Sequence, residues 1–387
     1  MSLSSFESLS QIFKSVSKLS LVYALDPESI VCSAILANLA SAREVDFELA
    51  PFFEAPKPID SSSILILCGV RQHRVVGGVR IKLLQDILGV KRFSVIRLVK
   101  EAQELWVVSP EQVALAVSSS IASSQGSSYD DRVLEAVRGE LSEIISSGIL
   151  AINEHSLRLF RYPFAKLSEC LFRTIEPYAP GVSLSINGSR GLLEEVGVPD
   201  KLGPLEEDEL KKLSSKLSEI YKSYNPKGFE PLGWRVVART SENMDINELS
   251  YSMLAAIDAE LHEAIISSLF DFRYTKLLVG LLERFYKRIG EYIEAAIRGE
   301  MKGGRMYIRG ARVEQWEASS KDPLNTLAKL LRAHGISSSL TIFRVEDSYC
   351  IPLTQINPSW PLDQDELAFE RGCVCSSSMD KLVKVLL

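Results

Sequence analysis

Apolar and polar residues fall in alternating short blocks over the first 110 positions. Leu21–Leu25 and Ile64–Val70 are continuous apolar runs of strand length, the pattern of strands buried on both faces. Ser29–Ala42 between them is rich in small and apolar residues and predicts a helix. Phe47–Phe53 predicts a second strand, followed by a Pro-rich turn, APKPIDSSS. Val79–Leu88 predicts a helix, Phe93–Leu98 a strand and Leu105–Val108 a short fifth one. Strand–helix alternation of this kind implies a parallel sheet with helices on both faces.

From Pro110 the pattern turns helical. Ser109-Pro110-Glu111 is a helix start: a hydroxyl cap, a proline at the first position and an acid behind it. The serine run 118–128 predicts a helix end and a mobile loop, with no chemistry of its own. Tyr129–Ser147 places Val133, Val137, Leu141 and Ile144 on one helical face. Ile149–Ile152 and Leu157–Phe160 predict a hairpin with the polar residue His155 at its turn. A short helix follows, then a Gly-Val-Pro break, then a helix whose acidic start, Glu206–Glu209, suits the helix dipole. NPKGFEPLGW, 225–234, predicts a boundary loop, and 246–298 is almost entirely helical. Met306–Trp316 predicts a strand, Asn325–His334 a helix, Leu340–Ile351 a strand or hairpin, and Met379–Leu387 a small helix. The fold class expected is α/β: an N-terminal parallel sheet flanked by helices over 1–190, a helical connector over 191–245, and a smaller C-terminal α/β unit over 246–387.

Composition narrows the function. The chain has 387 residues, 46% of them hydrophobic and 24% charged, the balance of a soluble globular protein. Its net charge of −6 argues against a strongly basic surface for duplex DNA. The N-terminus lacks a basic segment followed by an apolar core, and no run of about 20 apolar residues is present, so a cytoplasmic, nucleoid-associated protein without membrane contact is expected. Cys32, Cys68, Cys170, Cys350, Cys373 and Cys375 fit neither a disulfide framework nor a zinc ribbon, which predicts reduced thiols.

The turn Asp26-Pro27-Glu28-Ser29 carries the candidate chemistry. As local structure it is a helix start: Asp26 caps, Pro27 takes the first position, and Glu28 faces the positive end of the dipole. Strand, Asp-x-acid-small, then a small-residue helix also resembles the first motif of the DHH phosphoesterase superfamily, roughly His-x-Asp-x-Asp-Gly. Here the six positions are Ala24, Leu25, Asp26, Pro27, Glu28 and Ser29. The order of units resembles the RecJ-like branch, with a DHH domain, a connector and a DHH-associated C-terminal domain. PGVSLSINGSRGLLEEVGVPDKLGPLEEDELKKLSSKL is similar to the connector, and DINELSYSMLAAIDAE to the entry into the C-terminal domain.

The family's later ligands are replaced. Cys68 and Gly69 end the strand where the resemblance implies a second Asp. Arg97, Leu98 and Val99 stand where it implies Asp-His-His, and ERGCVCSS stands in place of Gly-Gly-His near the C-terminus. Two divalent ions about 4 Å apart need several carboxylate and imidazole ligands converging on one spot. Asp26, Glu28, Cys68 and Arg97 therefore read as vestigial metal-motif positions, with no catalytic residue, no bound metal and no cofactor. A RecJ-like layout without its ligands resembles the cell division control protein 45 class and its archaeal counterparts. That resemblance implies a non-enzymatic scaffold that binds the GINS complex and, through it, the MCM helicase, with weak contact to single-stranded DNA. Arg284, Lys287, Arg288, Arg305, Tyr307, Arg309 and Arg312 are the candidates for that contact, as basic groups for phosphates and a ring for bases. The competing readings are an active phosphodiesterase or 5′→3′ single-strand exonuclease, and a free-standing single-strand-binding module.

Overall fold

The computed structural model describes residues 8–54, 63–72, 80–124, 126–225, 229–240, 244–308, 311–338, 340–356, 358–360, 367–379 and 381–382. The strands are β1 (Lys18–Tyr23), β2 (Asp46–Pro51), β3 (Ser63–Cys68), β4 (Arg71–Gln72), β5 (Arg80–Leu83), β6 (Leu150–Leu157), β7 (Leu232–Ala238), β8 (Gly303–Ile308), β9 (Ala311–Ala318), β10 (Leu340–Val345), β11 (Ser348–Pro352), β12 (Ser359–Trp360), β13 (Ala368–Glu370) and β14 (Cys373–Ser376). The helices are α1 (Leu9–Ser15), α2 (Pro27–Ala42), α3 (Leu84–Leu88), α4 (Ser94–Gln103), α5 (Pro110–Ser123), α6 (Asp131–Glu140), α7 (Ser142–Ser146), α8 (Leu167–Arg173), α9 (Ile186–Val196), α10 (Glu207–Tyr224), α11 (Ile246–Asp258), α12 (Glu263–Phe270), α13 (Tyr274–Ile297) and α14 (Leu324–Ala333).

The N-terminal sheet runs β2-β1-β3-β5 and is parallel throughout. Its central strands are buried along their whole apolar runs, which is what a sheet covered on both faces demands. Helix α2 packs against α4, α5 and α12 as well as the sheet. A helix enclosed on every side has no use for a polar stripe, and its alanines and serines allow the close approach.

The C-terminal sheet has the order β13-β14-β11-β10-β9-β8, with only the β9–β10 pair parallel. Helix α11 packs on α5, α13 and α14, so a single apolar core runs between the two sheets. A second, smaller core gathers Leu157, Leu171, Leu193, Leu213, Leu217 and Tyr221 around α8–α10. The α/β class expected from the sequence is the one observed, with a helix-flanked parallel sheet and a separate C-terminal sheet unit. No helix among the described residues is long and apolar enough to cross a membrane.

Several local expectations are corrected. Phe93–Leu98 is not a strand: Val95, Ile96, Leu98, Val99 and Ala102 form the buried face of α4, a period nearer four than two. The fourth parallel strand is instead β5, inside the segment read as a helix, and 105–108 is not strand. The hairpin around His155 is one strand, β6, paired antiparallel with β7 and irregular between Asn153 and Ser156. Segment 129–147 breaks at Leu141 into α6 and α7. Segment 306–316 is two strands of a hairpin, β8 and β9. Cys350 and Cys375, directly opposite on β11 and β14, form a disulfide, so the expectation of uniformly reduced thiols fails there. Cys32, Cys68, Cys170 and Cys373 are free and buried. His73, Arg309 and most of the expected helix at 379–387 lie outside the described residues.

Candidate functional site

The cleft at the C-terminal ends of β1 and β3 has a volume of about 250 Å³. Asp26, Glu28, Cys32 and Cys68 line it, Arg92 reaches it from the loop before α4, and Thr354 and Ile356 close it from the C-terminal unit.

Each acid is already engaged. Asp26 caps α2: its Oδ1 accepts from the Ser29 amide at 3.1 Å and from the Ser123 hydroxyl at 3.0 Å. The same Ser123 oxygen accepts from the Glu28 amide at 3.0 Å. Glu28 turns away to a different helix, where its Oε1 accepts from the Val95 amide at 3.2 Å. This contact supplies a cap that the local sequence lacks, because Phe93 precedes α4 in a left-handed conformation and offers no side-chain acceptor. Burial, with the Asp26 charge beside it, pushes Glu28 up to about 7. Burial also raises Asp26, against the hydrogen bonds from Ser29 and Ser123 that favour its charged form.

The other groups do not complete a metal site. Burial pushes the Cys32 and Cys68 thiols up, which keeps them protonated and poor ligands for a hard cation. At Gly69 a side chain has no room: a Cβ would lie 1.9 Å from Ser29 Oγ, and φ is +66°. Arg97 is not at the sheet edge. It projects from α4 to Glu101 at 2.7 Å and Glu140 at 3.0 Å, and the Glu140 contact holds its guanidinium above the usual range. Among the described residues no cluster of three or more His, Cys, Asp or Glu is placed to hold a metal ion. The donor set, two capping carboxylates and two neutral thiols, does not fit a bimetallic centre.

Two participants escaped the sequence reading. Ser123 belongs to the serine run taken as chemically silent, yet it joins both acids. Lys329 of α14 is buried, and its ammonium donates to the carbonyls of Ile121, Ser124 and Gly126 and to Ser124 Oγ, at 2.7–3.2 Å. Burial brings this lysine down to about 8. It closes the C-terminal end of α5, the end that carries Ser123, and Glu176 accepts from Ser127 and Ser128 just beyond. The segment expected to be a mobile loop is thus pinned from two sides. A serine's partner across 95 or more positions leaves no trace in local patterning.

The basic candidates are placed in two groups. Arg284, Lys287 and Arg288 lie on α13 beside a shallow cleft of about 310 Å³ shared with Glu291 and Asp322. Arg288 bonds Ser320 Oγ at 2.9 Å and lies 3.5 Å from Asp322, while Lys287 is 90% exposed. The adjacent Phe285 and Tyr286 are buried and present no stacking face. Arg305, Tyr307 and Arg312 lie on the β8–β9 hairpin, where both arginines approach Glu314, at 3.8 and 3.2 Å, and Tyr307 is 77% exposed.

Among solved structures, CDC45 from Entamoeba histolytica matches with a TM-score of 0.54 at 9% identity, over 88% of this chain and 86% of that one. The chain has the CDC45 fold. RecJ from Thermus thermophilus in complex with Mg2+ gives a TM-score of 0.38 at 13% identity, over 89% of this chain and 43% of that one. Exonuclease RecJ bound to manganese gives 0.38 at 11% identity, over 97% and 90%. No family model and no curated protein matches the sequence. Within the CDC45 fold, the cleft described above sits at the carboxyl ends of the parallel strands, where open α/β sheets place their ligands.

Proposed function

We propose that the chain is a non-catalytic scaffold subunit of a replicative helicase assembly. The carrying observation is the use made of the two surviving acids: Asp26 and Glu28 each cap a different helix instead of converging on an ion. The CDC45 fold supports the assignment to replication. The resemblance of the connector and C-terminal segments supports GINS as the direct partner, with MCM reached through it. The division at 1–190, 191–245 and 246–387 belongs to the same proposal.

Contact with single-stranded DNA would use Arg284, Lys287 and Arg288 with Arg305, Tyr307, Arg309 and Arg312. Because most of the placed arginines already face acids, that contact is weak and salt-sensitive.

Two experiments test the proposal. Calorimetric titration with manganese should give no saturable binding, and a labelled single-stranded oligonucleotide should survive incubation with manganese. Digestion that disappears in Asp26→Ala would overturn the reading in favour of a phosphodiesterase. Co-purification with the GINS complex of the same organism should recover a stoichiometric complex, and recovery of none would remove the helicase assignment.

A further inference from the structure

We propose that the free edge of β8 is a docking strand that takes an extended acidic segment of a partner protein as a seventh strand of the C-terminal sheet. The inference holds whether or not the cleft at Asp26 is inert.

β8 ends the sheet, and its only strand neighbour among the described residues is β9. Residues opposed in an antiparallel pair alternate between exchanging hydrogen bonds and facing outward. The Glu317 amide donates to the Lys302 carbonyl at 2.9 Å, just beyond the opposed pair Gly303 and Trp316, and this fixes the phase. Lys302, Met306 and Ile308 therefore bond towards β9, whereas Gly303, Arg305 and Tyr307 direct their N–H and C=O groups away from the sheet.

Among the described residues β8 lacks most of the usual protections. Natural edges are blunted by proline, bulges, short length, a covering element or charge, and of these β8 carries charge, at Lys302 and Arg305. β8 has no proline, and its register with β9 is unbroken from Gly303 to Ile308. Gly303 and Gly304 leave the backbone bare, and Gly303 is required because a Cβ would lie 2.6 Å from the Trp316 ring. Arg305 Nε lies 3.8 Å from Glu314 on β9, and the side chain stays largely exposed.

Charge selects the occupant. The side chains of Lys302 and Arg305 are 83% and 72% exposed, whereas Glu314, the acid between the two arginines, is 4% exposed. Glu317, 4.0 Å from Lys302, is 50% exposed, so two exposed cations stand against one exposed acid at this edge, on a chain whose net charge is −6. A second copy pairing through the same edge would set like charges against each other, which is unfavourable across strands. An extended strand with acids at alternate positions meets both the bare peptide groups and the arginines, as in recognition by strand addition.

The test uses the full chain and a short blocked peptide alternating threonine and glutamate, with a lysine-for-glutamate peptide as control. At low salt the glutamate peptide should bind saturably by fluorescence anisotropy and slow amide exchange at Arg305 and Tyr307. Tyr307→Pro removes an outward N–H without removing a bond to β9, so it should weaken binding about tenfold, as should Arg305→Glu. Tyr307→Ala keeps the N–H and should bind within about threefold of the parent. Thermal melts check that each variant is folded. If Tyr307→Pro fails to fold, exchange protection in the parent protein decides alone. Equal losses for the alanine and proline variants, absence of protection, self-association through the edge, or protection of the Arg305 and Tyr307 amides by oligo-dT but not by the peptide would each overturn the proposal.

Discussion

The two sheets of this molecule end differently. The N-terminal sheet is sealed where its strands finish: Asp26, Glu28 and Ser123 satisfy one another and the starts of α2 and α4, and Lys329 closes the end of α5. The C-terminal sheet keeps one edge bare, with charge above it and nothing hydrogen-bonded beyond it among the described residues. In the first region polar groups are directed inward and serve stability. In the second the outward peptide groups of Gly303, Arg305 and Tyr307 have no strand beside them among the described residues. The sealing of a cleft by its own polar groups and the availability of a surface are therefore separate properties in this fold.

The largest effect should come from opening the sealed end. Lys329→Met removes the ammonium from the Ser124 and Gly126 carbonyls and leaves the Ile121 carbonyl with Ser124 alone, and urea unfolding should show a loss on the order of 3 kcal/mol. Gly69→Ala comes next. It forces a Cβ onto Ser29 at a left-handed backbone position and should cost about 2 kcal/mol in the same measurement.

Glu28→Gln sharpens the comparison through pH. The folded protein holds the Glu28 proton up to about 7, whereas an unfolded glutamate releases it near 4.5. The unfolded chain binds fewer protons between those values, so stability falls as pH rises through that window. The amide keeps an acceptor for Val95. The variant should therefore gain on the order of 2 kcal/mol over the parent above pH 7 and nothing below the unfolded value, as read by urea melts at both ends. The smallest effect belongs to the open edge: Tyr307→Ala should move stability by less than about 0.5 kcal/mol, because the ring is exposed and packs on little.

The sequence showed most clearly what depends on near neighbours. β1 and β3 were legible because strands covered on both faces must be apolar throughout, and α2 because Asp26-Pro27-Glu28 is a strong start signal. β5 and α4 were exchanged for one another because both are short and half-buried, and the period-four face of α4 reads as strand when only its first six residues are taken. Asp26 and Glu28 were found, but their roles were only half visible: Asp26 caps its own helix, whereas Glu28 caps another one 67 positions away. Ser123 and Lys329 act through contacts across distant segments, and β6–β7 joins strands separated by the whole of α8–α10. Such pairings leave no periodicity to read.

One consequence of the buried lysine bears on how this protein can be divided. A fragment that stops before α14 would lose the only ammonium group placed on the last turn of α5 among the described residues, and with it the support of Ser123, which holds the Asp26 carboxylate and the Glu28 amide. Truncation before α14 would therefore disturb the turn after β1, although that turn lies far upstream of the cut.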